Sequence, residues 1–120
     1  MYKISKQFSF SASHVLSHLG DEHPCARIHG HNYLIIVHLK SEVLNKHGFV
    51  RDYKDLKIVK ELIDNKLDHR HLNDVIPGYP TSENIARYLY DLFKPELPEL
   101  YAVEVSETVQ TTCIYEPEGK

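Results

Sequence analysis

The sequence predicts an α+β fold in which a four-stranded antiparallel sheet carries two helices on one face. Four stretches are rich in β-branched and aromatic residues, and two have apolar stripes with helical spacing, in the order β-β-α-α-β-β. Strands and helices that come in pairs are typical of antiparallel sheets with helices on one side. The 120 residues suffice for one hydrophobic core and not for two, so we expect a single domain over residues 1–120.

The first two strands are predicted at residues 2–14 and 31–40. In the first, apolar and small polar residues alternate from Phe8 onwards, which places His14 on the same face as Phe8. The second is apolar at every position from Tyr33 to Val37, so it needs cover on both faces. A polar loop with glycine and proline separates the two strands, and we expect them to pair in an antiparallel manner.

Two helices are predicted between the strand pairs. The first runs from about Tyr53 to Leu67 with Asp52 as its N-cap, and the second begins after the N-cap Thr81 and ends before Pro95. Each has an apolar stripe that can face the sheet. The stripes comprise Leu56, Val59, Leu62, Ile63 and Leu67 in the first helix and Ile85, Leu89, Leu92 and Phe93 in the second.

The chain closes with two short strands, predicted at residues 101–107 and 111–115. Helices on one face leave the other face of the sheet, predicted to be apolar, and two strand edges uncovered. Uncovered apolar faces and bare edges promote association. We therefore expect a homo-oligomer.

Composition and charge exclude several kinds of partner. The net charge of -3 and the absence of a Lys/Arg-rich run argue against binding to nucleic acid or to a membrane surface. The sequence contains neither the apolar core of a signal peptide nor an apolar run that would span a bilayer, so we expect a cytoplasmic protein. In that reducing compartment, Cys25 and Cys113 are expected to be free thiols.

Three histidines near the start of the chain have the spacing of a metal site. His29 and His31 lie two apart and lead into the second strand, so both imidazoles project from one face. His14, on the inward face of the first strand, can supply a third ligand. Three ligands with an open position are typical of catalytic zinc, whereas four make a closed structural site. Cys25 either supplies that fourth ligand or acts beside the metal as a base, and the residues alone leave both interpretations open.

Two further groups of residues carry candidate chemistry. Asp68 and His69 follow the first helix, where the carboxylate can orient and charge the imidazole for proton transfer near neutral pH. Such residues also occur at helix ends for capping alone. Glu107 ends an apolar strand face and suits a planar ligand with two parallel N–H donors, although an exposed strand-end glutamate has the same pattern.

Five short motifs spread over almost the whole chain carry a resemblance to a known family. They are Phe10-Ser11-Ala12-Ser13-His14, Cys25-Ala26-Arg27-Ile28-His29-Gly30-His31, Leu67-Asp68-His69, Pro80-Thr81-Ser82-Glu83-Asn84 and Ser106-Glu107-Thr108. In this order they resemble the motifs of the 6-pyruvoyl tetrahydropterin synthase family. The short length, Leu72-Asn73-Asp74 and Cys113-Ile114-Tyr115 are most similar to its bacterial branch, which forms 6-carboxy-5,6,7,8-tetrahydropterin in queuosine biosynthesis.

The resemblance implies a fold, an assembly and a set of roles. It implies the tunnelling fold, in which trimers form a barrel and pair into hexamers with active sites at subunit interfaces. It also implies that Cys25 is a base and not a metal ligand. The implied site residues are His14, His29 and His31 for Zn²⁺, Cys25, Asp68 and His69 for proton transfer, and Glu107 for the pterin ring.

The resemblance further implies a reaction. Zinc-dependent conversion of 7,8-dihydroneopterin triphosphate would yield 6-carboxy-5,6,7,8-tetrahydropterin, acetaldehyde and triphosphate, without a redox cofactor. A sister activity, 6-pyruvoyl tetrahydropterin synthesis, eliminates triphosphate but keeps the side chain. The alternative is a noncatalytic zinc protein in which Cys25 is the fourth ligand. Such a structural site needs neither the Asp68–His69 pair nor Glu107. A zinc hydrolase would leave Cys25 and Glu107 unexplained.

Overall fold

The computed structural model describes residues 1–118, and its elements follow the predicted order. All four strands belong to one antiparallel sheet with the order β1-β2-β3-β4. The predicted fold class is confirmed. The elements are β1 (Tyr2–His14), β2 (His29–Ser41), α1 (Lys57–Leu62), α2 (Ser82–Phe93), β3 (Leu100–Thr108) and β4 (Thr111–Tyr115).

Strands β1 and β2 form a long hairpin whose register extends from Tyr2 opposite Ser41 to His14 opposite His29. β2 begins at His29, which is earlier than the predicted residue 31. The difference matters because both histidines of the His-x-His pair then lie within the strand. The hairpin thus ends with one predicted metal ligand opposite another.

The first predicted helix is present as one continuous helical segment of changing geometry. A 3₁₀ turn over Tyr53–Leu56 leads into α1, and a π turn over Ile63–Leu67 follows it. The Asp52 carboxylate caps the segment by accepting a hydrogen bond from the backbone N–H of Lys54 at 2.9 Å. The wide last turn ends with a bond of 2.8 Å from the N–H of Asp68 to the carbonyl of Ile63, and it delivers Asp68 to the edge of the sheet.

Helix α2 packs on β3 and β4. Thr81 caps it as predicted, because its hydroxyl accepts a hydrogen bond from the N–H of Asn84 at 3.2 Å. Ile85, Leu89 and Phe93 are buried, but Leu92 is 42% exposed, so its assignment to the buried stripe was wrong. No helix within residues 1–118 is long and apolar enough to cross a membrane.

The core lies between the helical segments and one face of the sheet. Alternate residues of β2 and β3 point into it, as period-two alternation requires. Several of these side chains are completely buried, which holds the long hairpin against the helices. They include Ile35, Val37, Leu39, Val103 and Val105 from the sheet and Leu56, Val59, Ile63, Leu67, Ile85 and Leu89 from the helical segments.

The opposite face of the sheet is mixed in character and not apolar as predicted. Leu34 and Ile36 are only half-buried there, and their partners across the hairpin are the polar Ser9 and Gln7. Glu104 is half-buried on this face and bonds to His38. The prediction of an apolar face rested on β2 and did not take into account that the polar residues alternating along β1 lie on this same face.

Candidate metal and active site

Three histidine side chains meet at the end of the β1–β2 hairpin. One ring nitrogen from each of His14, His29 and His31 forms a group whose members all lie within 4.8 Å of one another. The strand register explains the convergence, because His14 lies opposite His29 and Ala12 lies opposite His31. All three project from the helix-covered face, as strand alternation predicts.

Backbone carbonyls fix the protonation of two of these imidazoles. Nδ1 of His14 lies 2.8 Å from the carbonyl oxygen of Pro80, and Nδ1 of His29 lies 2.7 Å from that of Arg27. Because a carbonyl oxygen only accepts, each Nδ1 must carry the proton, and each Nε2 has a free lone pair. The two Nε2 atoms are 2.9 Å apart. Two lone pairs this close need a cation or a shared proton between them.

His31 completes the group with an unsatisfied atom. Its Nε2 is buried and has no hydrogen-bond partner within residues 1–118. Burial lowers the pKa of His31, and the neighbouring His14 and His29 lower it further. The nearby Glu107 carboxylate acts in the opposite direction. An orphaned buried nitrogen costs about 1–3 kcal/mol. A bound metal ion would use this nitrogen and the two facing lone pairs, so the three histidines fit a metal centre.

Cys25 lies in a 3₁₀ turn over Pro24–Ala26 and is half-buried. Its carbonyl oxygen accepts a hydrogen bond of 2.8 Å from the N–H of Leu16, which ties this turn to the chain just beyond His14. Its sulfur is not a member of the ligand-atom group formed by the three histidines. The geometry therefore gives three convergent ligand atoms within residues 1–118 and leaves the thiol outside them.

Asp68 and His69 dock on the free edge of β1. The Asp68 carboxylate accepts hydrogen bonds of 3.0 Å from the N–H of Ser11 and from Nδ1 of His69. These two bonds, the backbone one first, hold the pKa of Asp68 below its usual value. The His69 N–H in turn donates to the carbonyl of Ser11 at 2.6 Å. The carboxylate thus lies within hydrogen-bond distance of the imidazole that it is predicted to orient.

The backbone of His69 is held in an uncommon conformation. Its φ of 58° makes it the one non-glycine residue with a positive φ within residues 1–118. Strained residues of this kind cluster at functional sites, where the surrounding structure holds them. The ring is 81% exposed, and it lines the same open cavity of about 410 Å³ as His31. Ser11, Ser13, Gly30 and Asn32 also line this cavity, and strand alternation places them on the sheet face opposite the three imidazoles.

Glu107 is directed towards the metal cluster and not into solvent. Its Oε2 lies 3.7 Å from Nε2 of His31, and its side chain is 25% exposed. A break in the β3–β4 register between Val105 and Thr108 frees this position from the ladder. Such irregularities often re-aim a side chain next to a site. The carboxylate also helps raise the pKa of Tyr33, after the larger effect of burial.

Comparison with known proteins agrees with this geometry. The model of the family described as 6-pyruvoyl tetrahydropterin synthase matches residues 3–118. The chain belongs to this family. A Synechocystis protein named 6-carboxy-5,6,7,8-tetrahydropterin synthase is 38% identical, with 96% of this chain and 93% of that protein covered. Human 6-pyruvoyl tetrahydrobiopterin synthase is 35% identical, with 97% and 92% covered.

Solved structures of the 6-pyruvoyl tetrahydropterin synthase family share the fold. The enzyme from Caenorhabditis elegans superimposes with a TM-score of 0.85 at 30% identity and covers 98% of this chain and 96% of its own. The Plasmodium falciparum enzyme has a TM-score of 0.74 at 19% identity, with 95% and 96% covered, which supports the fold alone. The family and the tunnelling fold suggested by the sequence motifs are thus confirmed.

Sequence reasoning missed the groups of this family member that hold the histidines in place. These are the carbonyls of Pro80 and Arg27 and the hydroxyl of Tyr33, which lies 3.3 Å from Nδ1 of His14. Every residue has a backbone carbonyl, so the sequence pattern cannot show which carbonyls bond to the histidines. The position of Pro80 within a family motif was the one available signal.

Proposed function

We propose that the protein is a zinc enzyme that converts 7,8-dihydroneopterin triphosphate to 6-carboxy-5,6,7,8-tetrahydropterin in queuosine biosynthesis. Acetaldehyde and triphosphate are released, and one water is taken up to balance the atoms. The three convergent histidine nitrogens are the observation that carries this proposal, and the contact between the Asp68 carboxylate and the His69 ring supports it. The Synechocystis relative that bears the name of this activity supports the choice of product.

The metal site suits zinc by its donor chemistry. His14, His29 and His31 would hold the ion through neutral imidazoles, which leave it its full charge and an open position. When bound, zinc polarises substrate oxygens and lowers the pKa of hydroxyl groups. Because Nε2 of His31 is otherwise unpartnered, the ion also removes the cost of burying that atom.

Proton transfer is assigned to His69 and Cys25. Since Nδ1 of His69 donates to Asp68, its Nε2 is free to take up a proton, and the carboxylate stabilises the imidazolium that forms. Cys25, on the segment tied to the end of β1, is proposed to remove a proton from the substrate side chain. A neighbouring cation favours the thiolate form that such a base requires.

Glu107 is proposed as the anchor of the pterin ring. Its carboxylate can accept two parallel hydrogen bonds from the amino and ring N–H groups. Each such charge-assisted bond contributes about 1.5–3 kcal/mol and disfavours rings that lack the donors. Because Oε2 of Glu107 lies 3.7 Å from Nε2 of His31, a pterin ring bound to this carboxylate would lie beside the metal cluster.

A second product has support of its own. The human relative, 35% identical, is named 6-pyruvoyl tetrahydrobiopterin synthase. In that activity triphosphate is eliminated and the side chain is retained. A noncatalytic zinc protein is the other alternative, and it gives no role to Asp68, His69 or Glu107.

Product analysis by mass spectrometry separates these alternatives. Zinc-loaded protein is incubated with 7,8-dihydroneopterin triphosphate. We expect acetaldehyde together with 6-carboxy-5,6,7,8-tetrahydropterin. A pyruvoyl product without acetaldehyde would assign the sister activity, and unchanged substrate with zinc bound would favour the noncatalytic protein.

The proposed enzyme is a cytoplasmic homohexamer, a dimer of trimers with active sites at subunit interfaces. Within residues 1–118, β1 and β4 are the outer strands of the sheet, so each has an edge available to a neighbouring chain. Next to the metal cluster, the Asp68–His71 segment covers part of the β1 edge. We therefore expect the contact between chains to use the rest of β1.

A further inference from the structure

The loop that leads into α2 touches the metal cluster through one backbone oxygen. The carbonyl oxygen of Pro80 lies 2.8 Å from Nδ1 of His14, a side chain that is 1% exposed. The first helical hydrogen bond runs from the N–H of Ile85 to the carbonyl of Thr81 at 2.9 Å, so the Pro80 carbonyl lies outside the helix ladder. A partner of this kind fixes which imidazole nitrogen carries the proton and how the ring is oriented.

Two hydrogen bonds to one oxygen hold this loop in place. The Asn84 side-chain amide donates to the carbonyl of Tyr79 at 2.8 Å, and the N–H of Thr81 donates to the same oxygen at 2.8 Å. The second bond closes a tight turn over Pro80, whose ring fixes its own φ. The direction of the Pro80 carbonyl is therefore set by its neighbours on both sides, and Asn84 supplies the side-chain hydrogen bond to the Tyr79 oxygen.

We propose that Asn84 is a positioning residue of the metal site. Through Tyr79 and Pro80 it keeps His14 in the form with the proton on Nδ1, so that Nε2 is ready for the metal. This inference rests on the proposed function, because it assumes that a metal binds at His14. Asn84 itself is exposed, and it acts on the site only through the loop.

The substitution Asn84→Asp distinguishes this role from simple stabilisation of the helix start. Aspartate has the same shape but no N–H to donate, so the bond to Tyr79 is lost. Asn84 is the third residue of α2, where a negative charge is favourable. An added negative charge would also attract a cation. A fall in the zinc affinity of Asn84→Asp therefore could not be explained by a weakened helix or by the added charge.

We expect Asn84→Asp to weaken Zn²⁺ binding by about 10-fold, the lower end of the loss that follows removal of a direct partner of a metal ligand, because the Pro80 carbonyl itself remains. Competition with a chromophoric chelator measures the affinity, and urea unfolding of the zinc-free chain measures stability, which should not fall. Asn45→Asp is the matched control. It adds the same charge but keeps the bonds that Asn45 accepts from the N–H groups of His47 and Phe49, and its zinc affinity should equal that of the wild type.

Equal zinc affinity of Asn84→Asp and the wild type would overturn the inference. A second test needs no variant, since ¹⁵N NMR of the zinc-free wild type should show the His14 proton on Nδ1. A His14 ring without a proton on Nδ1 would overturn it as well. If the wild type does not bind Zn²⁺, the proposed metal site fails together with this inference. If the wild type binds Zn²⁺ and Asn84→Asp binds it equally well, only this inference fails.

Discussion

At the scale of single residues, the site depends on which nitrogen of each imidazole is occupied. The carbonyls of Pro80 and Arg27 take Nδ1 of His14 and His29, and burial leaves Nε2 of His31 without a partner. The fold thus contains lone pairs that have no hydrogen-bond donor, which destabilises it. Such a cost is offset when the atoms bind a cation.

His69 gives the most direct prediction at this scale. The substitution His69→Ala should lower turnover of 7,8-dihydroneopterin triphosphate about 10²–10⁴-fold, because it removes a general acid–base group. Zinc content should stay the same, since His69 is not in the ligand-atom group. His47→Ala removes another exposed histidine and serves as the control. Normal turnover in His69→Ala would contradict the proposed role.

At the scale of elements, the Asp68–His71 segment is held to the end of β1 partly by a carboxylate. Because the folded state lowers the pKa of Asp68, this group stabilises the fold above its unfolded pKa of about 3.9. That stabilisation is lost as the pH falls through the lower, folded pKa. We expect the free energy of unfolding to fall more steeply in this acid range for the wild type than for Asp68→Asn, as measured by urea denaturation. Equal pH dependence of the two would contradict the assignment.

Helix α2 is attached to the sheet by one side of its surface only. Leu89 is completely buried, whereas Leu92 on the same helix is 42% exposed. Leu89→Ala should lower the free energy of unfolding by about 2–5 kcal/mol. Leu92→Ala, the same chemical change, should cost less than about 1 kcal/mol. Equal losses in chemical denaturation would show that α2 does not pack as described.

Elements with strong local signals were predictable, and so were the side chains that they carry. Alternation in β1 and the His-x-His spacing in β2 were enough to place three imidazoles on one face. The π turn before Asp68 was not predictable, because it depends on tertiary contacts with β1 and not on local propensity. Leu92 shows the same limit, since a helical stripe does not reveal where its buried part ends.

At the scale of the whole molecule, the sheet has edges and a face that a neighbouring chain could cover. The sheet has two outer strands, and its uncovered face carries the half-buried Leu34 and Ile36 with Ile114, which is 59% exposed. We predict a particle with about six times the 13.9 kDa mass of the chain, measured by light scattering after size-exclusion chromatography. Particles of a single chain with full activity would contradict the proposed interface sites.

The central claim is that three histidines hold a catalytic metal and that Cys25 works beside it. Zinc content and turnover of Cys25→Ala test this claim most directly. The account predicts one zinc ion per chain and loss of turnover, because the base is removed and the ligands remain. Loss of zinc in this variant would make Cys25 a fourth ligand, and the site would then be a closed structural one.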